Sequence, residues 1–140
     1  EDEGLSGFNN WYTIQAQEER DHAMLMLKYL QMNGETVDLL AIEKPAQEFK
    51  DHMHPLKEAL AHERYVTSLI NNIYGTAYEL KDFRTMQFLD WFVKEQVEEE
   101  DNASNLIKKM EMFGTDAKGL YMLDQELAGR VYSAPSLTLD

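Results

Sequence analysis

An all-α helical bundle is the fold class that this sequence predicts, and three observations carry the prediction. Apolar residues recur in alternating steps of three and four along three long stretches. Only three prolines occur, Pro45, Pro55 and Pro135, so long helices are permitted between them. No β-hairpin signal, glycine-rich phosphate loop or internal repeat competes with that pattern.

The first helix, about residues 6–33, carries the seam Phe8, Tyr12, Gln15, Glu19, His22, Met26, Tyr29, and Gly34 supplies its stop. The segment from about 34 to 53 has no sustained period and contains Gly34 and Pro45, so it reads as a long crossover that lets successive helices lie parallel. The second helix, about 54–80, opens at Pro55 with the seam Leu56, Ala59, Glu63, Val66, Ile70, Ile73, Ala77. A short link, KDFRT, predicts an antiparallel hairpin with the third helix, about 84–113. Its seam is Leu89, Phe92, Gln96, Glu99, Ala103, Leu106, Met110 and Phe113, ended by Gly114. A short amphipathic helix, about 118–128, turns Leu120, Leu123 and Leu127 toward a partner surface. The remainder, about 129–140, is expected to be loose.

The bulk properties bound the function. At 140 residues the chain fits one domain, 1–140, with a real core. The formal net charge of −13 repels phosphate backbones and anionic lipid, which argues against nucleic acid and membranes as partners. No run approaches the ~20 apolar residues of a membrane span, and EDEGLSGF lacks the features of a signal peptide. With no cysteine, thiolate metal sites and disulfides are excluded, and the composition suits a reducing cytoplasm. Any metal must be held by oxygen and nitrogen.

Each seam is apolar at both ends and broken near its middle by polar groups: Glu19 with His22, then Glu63, then Gln96 with Glu99. An unpaired carboxylate in a bundle interior costs several kcal/mol, so three matching interruptions point to a shared cation. Residues three apart lie on one helix face, so Glu19 and His22 can present an oxygen and an imidazole nitrogen to one point. An oxygen-rich set with one imidazole suits iron or manganese, and a glutamate bridging two ions allows two Fe(II) to be oxidised together. Taken singly the signals are weak. Glu-x-x-His occurs on many solvated helices, Glu63 could be a coiled-coil specificity residue, and Gln96 with Glu99 could be a hydrogen-bonded polar layer. Jointly they favour the metal.

Other candidates are poorer. His52 and His54 sit at the opening turn DHMHP with no carboxylate partner read at helical spacing, so capping or surface is expected. His62 lies one step off the seam, beside the ligand set or in solvent. Met24, Met26, Met86 and Met110 read as core filler, and no arrangement supports nucleophilic catalysis.

These residues also carry a family resemblance. The runs GFNNWYTIQAQEERDHAM and HERYVTSLINNIYGTA, and FLDWFVKEQVEEE followed by GLYMLDQEL, resemble the bacterial non-haem ferritins over nearly the whole chain. Rubrerythrins and haem-containing bacterioferritins carry a second Glu-x-x-His where this chain has Gln96 and Glu99. The resemblance implies a ferritin-like bundle and a ferroxidase. Fe(II) would be oxidised by dioxygen or peroxide at a di-iron centre, and Fe(III) laid down as mineral inside a homo-oligomeric shell of 24 subunits. It implies that Glu19 is shared by both irons, that His22 completes the first, and that Glu63 and Glu99 hold the second with Gln96 beside it. Glu18, Glu95 and Glu98 are implied at a third iron position, and Trp91 matches the aromatic just upstream.

In the family a long helix precedes the EDEGLSGF loop and supplies another iron-binding glutamate and a tyrosine. These residues have no counterpart of it, so three of the four long helices plus the short C-terminal one are expected. Two readings follow. One is an iron-storage ferroxidase; the other is a truncated ferritin-like chain that forms a non-catalytic helical assembly with an incomplete iron site.

Overall fold

The computed structural model of the chain describes residues 1–45 and 48–139. Residues 46 and 47 of the expected crossover, and residue 140 of the tail, lie outside the described residues. The described residues form α1 (Ser6–Met32), α2 (Met53–Glu79), α3 (Phe83–Phe113) and α4 (Ala117–Ala128), with no strand among them. The fold is all-α, three long helices and a short one. It divides into two units, Glu1–Ala46 with Phe113–Asp140, and Gln47–Met112.

The second unit is the α2–α3 hairpin. Tyr74 donates its hydroxyl to Asp90 Oδ1 at 2.9 Å, and Gln96 Nε2 donates to the Glu63 carbonyl at 3.1 Å. Residue numbers rise along α2 as those of their partners fall along α3, so the two run antiparallel. Leu56, Ile70, Phe88, Leu89, Phe92, Ala103 and Leu106 are buried. Asp51 opens α2 by accepting the His54 N–H at Oδ1, 2.8 Å, and Pro55 occupies the first turn, where its missing N–H is no loss.

The turn between α2 and α3 is set by backbone bonds. The Asp82 N–H reaches back to the Ala77 carbonyl at 2.8 Å and the Lys81 N–H to Tyr78 at 3.1 Å, the paired closure of a Schellman motif. Lys81 takes the left-handed conformation this needs, φ 56°, where glycine is usual. Asp82 then caps α3, accepting the Thr85 N–H at 3.1 Å and the Thr85 hydroxyl at 2.5 Å. These bonds hold its carboxyl below the ordinary range.

In the first unit α1 ends by the same motif, with Gly34 at φ 77° and bonds Glu35 to Leu30 and Gly34 to Gln31, both 3.0 Å. Its start is unusual. Leu5, at the cap position, makes no side-chain bond, and the cap comes instead from α4: buried Asp124 Oδ1 accepts the N–H groups of Gly7 and Phe8. In return, Asn10 Nδ2 donates to the Leu127 carbonyl at 3.2 Å and the Arg130 carbonyl at 3.1 Å. Each helix thus satisfies the other's end groups. Phe8, Ile14, Leu123 and Leu127 are buried in this unit. α4 starts at Asp116, whose Oδ1 accepts from Lys118 and Gly119 at 2.9 Å.

The tail differs from its expectation. Though its sequence has no helical period, the segment after α4 is tied along α1: Tyr132 donates to Asp21 Oδ2 at 2.6 Å, and Lys28 donates to the Leu139 carbonyl. The bonds come from single polar side chains, which periodicity does not detect.

Candidate metal centre

The candidate ligands form two sets, one in each unit. On α1, Glu19 Oε2 lies 3.5 Å from His22 Nδ1, as the three-residue spacing requires. His22 is mostly buried, with 12 % of its side chain exposed, whereas Glu19 is 43 % exposed. Gln15, one turn earlier, donates from Nε2 to Glu19 Oε1 at 2.9 Å.

In the hairpin, Glu63, Gln96 and Glu99 are all buried, between 5 and 8 % exposed. Gln96 Nε2 lies 3.1 Å from the Glu63 carbonyl, 3.3 Å from Glu63 Oε2 and 3.3 Å from Thr67 Oγ1. The amide nitrogen is committed to oxygen acceptors, which leaves its oxygen as the atom that can meet a cation. Thr67 passes the chain on, donating to Glu100 Oε1 at 2.7 Å, and Arg64 lies 3.7 Å from Glu100. Beside Gln96 an open groove of about 360 Å³ is lined mainly by apolar atoms of Ile70, Val93 and Val97. Buried carboxylates are held by hydrogen bonds or by positive charge.

The residues implied at a third position differ among themselves. Glu98 is exposed and Glu95 half-buried on α3. Glu18 is already engaged: Arg130 Nη2 donates to its Oε2, and the Ser133 N–H lies 3.4 Å from its Oε1. Trp91 packs edge-on against Phe92, ring centroids 4.9 Å apart. His62 is exposed and stands 6.3 Å from the Tyr65 ring. His54 sits in the opening turn of α2, where its Nδ1 accepts the Lys50 N–H at 3.2 Å. Glu58 lies four residues on, and its Oε1 is 3.6 Å from His54 Nε2, a surface pair that contributes little.

Sequence reasoning missed several groups around these ligands. In the sequence Gln15 stands only as a seam residue, and Thr67, Glu100 and Arg130 carry no motif. Tyr12, two turns before Glu19 and also in the seam, has a buried hydroxyl with no hydrogen-bond partner among the described residues. Burial pushes its phenol up to about 12. Spacing alone could have flagged Gln15, four residues from Glu19; the others needed three dimensions.

The comparisons with known proteins agree with this arrangement of helices. A family model described as a ferritin-like domain matches residues 1–113. A probable bacterial non-heme ferritin-like protein of Haemophilus influenzae is 35 % identical over 125 residues, covering 89 % of this chain and 76 % of that protein. A bacterial non-heme ferritin of Staphylococcus haemolyticus is 37 % identical over 132 residues, covering 94 % and 80 %. Among solved structures, an open-pore ferritin from the hyperthermophilic archaeon Archaeoglobus fulgidus aligns with TM-score 0.89 at 40 % identity, over 91 % of this chain and 79 % of that one. An engineered closed form of that ferritin gives 0.90 at 40 % identity, over 93 % and 79 %. No helix among the described residues is long and apolar enough to cross a membrane.

Proposed function

The chain belongs to the ferritin-like family, and from that premise we propose that it stores iron, binding Fe(II) as substrate at a di-iron carboxylate site and oxidising it to Fe(III). The observation that carries this reading is the burial of Glu63 and Glu99, each 8 % exposed, together with Gln96 among the buried apolar residues of the hairpin. A bound cation offsets the cost of burying carboxylates together. Glu19 and His22 offer a carboxylate and an imidazole from α1, and Glu63 and Glu99 offer two buried carboxylates from the hairpin. In the proposed site Glu19 is shared by both irons, His22 completes the first, Glu63 and Glu99 hold the second, and the Gln96 oxygen stands by.

The chemistry needs little from the protein beyond charge and proximity. Two Fe(II) each give up one electron; dioxygen takes both, with two protons, and becomes hydrogen peroxide. Carboxylates suit this because they hold Fe(III) more strongly than Fe(II), which favours loss of the electron. A third ion at Glu18, Glu95 and Glu98 belongs to the same proposal, but it must displace Arg130 from Glu18.

Storage further requires a closed assembly of copies, which in this reading is a shell of 24 subunits. Leu39, Leu40 and Ile42 are 80 to 96 % exposed, an apolar stretch that favours association. The same stretch favours the second reading, a helical assembly without turnover. Anaerobic Fe(II) titration followed by air separates them. The ferroxidase gives a transient blue or amber absorbance and a rise of Fe(III); the inert assembly binds no Fe(II).

A further inference from the structure

Arg130 stands in the segment after α4, remote in sequence from every candidate ligand, yet its guanidinium is engaged on all sides. Nη2 donates to Gln15 Oε1 at 2.9 Å and to Glu18 Oε2, Nη1 donates to the Trp11 carbonyl at 3.3 Å, and the guanidinium carbon lies 4.7 Å from the centroid of the Trp11 ring. Tyr132, two residues on, is fastened to Asp21. A side chain held by so many partners, and only 22 % exposed, is fixed rather than mobile.

The consequence falls on Gln15. A guanidinium has donors and no acceptor, so the face of the Gln15 amide turned to Arg130 must be its oxygen. Its nitrogen is then the group that meets Glu19 Oε1, at 2.9 Å. The flipped amide would set N–H against guanidinium and oxygen against carboxylate, two repulsive contacts in place of two hydrogen bonds. With Oε1 held by Gln15, Glu19 turns Oε2 toward His22 Nδ1.

We infer that Arg130 is a positioning residue for the iron site: acting through Gln15, it fixes the orientation of the Glu19 carboxylate, so that Oε2 is turned to the iron that His22 completes. The inference rests on the reading of Glu19 and His22 as iron ligands. Partners of this kind orient ligands and typically alter metal affinity about 10- to 100-fold when removed.

The sign of the effect makes the idea testable. Arg130 carries a positive charge near a cation site, and its removal also releases the Glu18 carboxylate. Electrostatics alone therefore has Arg130→Ala bind Fe(II) more tightly. The relay requires the opposite, because an unanchored Gln15 amide no longer holds Glu19.

The experiment is anaerobic Fe(II) titration by calorimetry on the full chain and on Arg130→Ala, Arg130→Lys, Gln15→Ala and the Arg130→Ala/Gln15→Ala double variant, with helix content checked for each by circular dichroism. The expected result is weakening of about tenfold for either alanine variant. The double variant should be no weaker than Gln15→Ala, and Arg130→Lys, which keeps one donor for the Gln15 oxygen, should recover most of the loss. Equal or tighter binding by Arg130→Ala, or losses that multiply in the double variant, overturns the inference. Should Arg130→Ala fail to fold, Gln15→Ala and Arg130→Lys decide: unchanged binding in Gln15→Ala overturns it. A parent chain that takes up no Fe(II) overturns the iron reading itself, and the inference with it.

Discussion

Asp124 on α4 accepts the Gly7 N–H of α1 at 2.8 Å, and its backbone oxygen comes so near that a Cβ at residue 7 would lie 1.7 Å from it. One residue thus needs glycine for space while the other supplies the cap that α1 lacks in its own sequence. Helix propensity alone would favour Gly7→Ala by about 1 kcal/mol. The contact reverses that sign, so Gly7→Ala is expected to lower stability in denaturant unfolding. Asp124→Ala should cost about 1–2 kcal/mol through loss of the cap, with Asp124→Asn losing less because the amide oxygen still accepts. A stabilised Gly7→Ala would refute the close approach.

Lys81 holds a left-handed backbone where α1, closed by the same bonds, uses Gly34. The strain for a side chain there is about 1–2 kcal/mol, and glycine's greater freedom when unfolded returns part of it. Lys81→Gly is therefore expected to raise stability by up to about 1 kcal/mol, and Gly34→Ala to lower it by a similar amount. Thermal unfolding of the two variants should move in opposite directions.

Tyr12 titrates in a window where the sign can be worked out. Below pH 10, its ordinary value, folded and unfolded states both hold the proton. Between 10 and about 12 only the unfolded state releases it, so stability falls as pH rises through that range. Tyr12→Phe removes both this dependence and a buried hydroxyl without a partner among the described residues. Its expected outcome is a gain of about 1 kcal/mol at neutral pH and a flatter alkaline profile. A loss of stability would mean that the hydroxyl is satisfied.

The cap of α3 has the opposite pH signature. Asp82 is held below the ordinary carboxylate range by its bonds from Thr85, so the stability it contributes is present above that range and is lost as pH falls through its folded value. Thr85→Val deletes the hydroxyl donor, and the Asp82 carboxyl, followed by NMR, should then titrate higher. No movement would assign the depression elsewhere.

How much of this was legible in the sequence follows from the range of each interaction. The seams are local periodicities, so the all-α class and the burial of Glu63, Gln96 and Glu99 among apolar neighbours could be read from spacing. Gly34 could be read as a stop because glycine announces the left-handed closure; Lys81 makes the same closure without announcing it. Asp124 with Gly7, and Arg130 with Gln15, pair residues more than 110 positions apart, and no periodicity links them. The segment 129–140 reads as loose in the sequence for that reason. Its hold on α1 comes from Arg130, which bonds Gln15, Glu18 and the Trp11 carbonyl, from Tyr132 and from the Leu139 carbonyl, none of them set by a sequence period.

The central claim, that Glu63 and Glu99 are buried in order to meet iron, is tested most directly by titrating Fe(II) anaerobically into the chain and into Glu63→Ala/Glu99→Ala, then admitting air. Assembly mass and iron content are measured on the same samples. The expected result is Fe(II) uptake of about two ions per chain with a transient di-ferric absorbance, both lost or strongly reduced in the variant. Oxidation that proceeds unchanged in the variant, or a parent chain that binds no Fe(II), would contradict it.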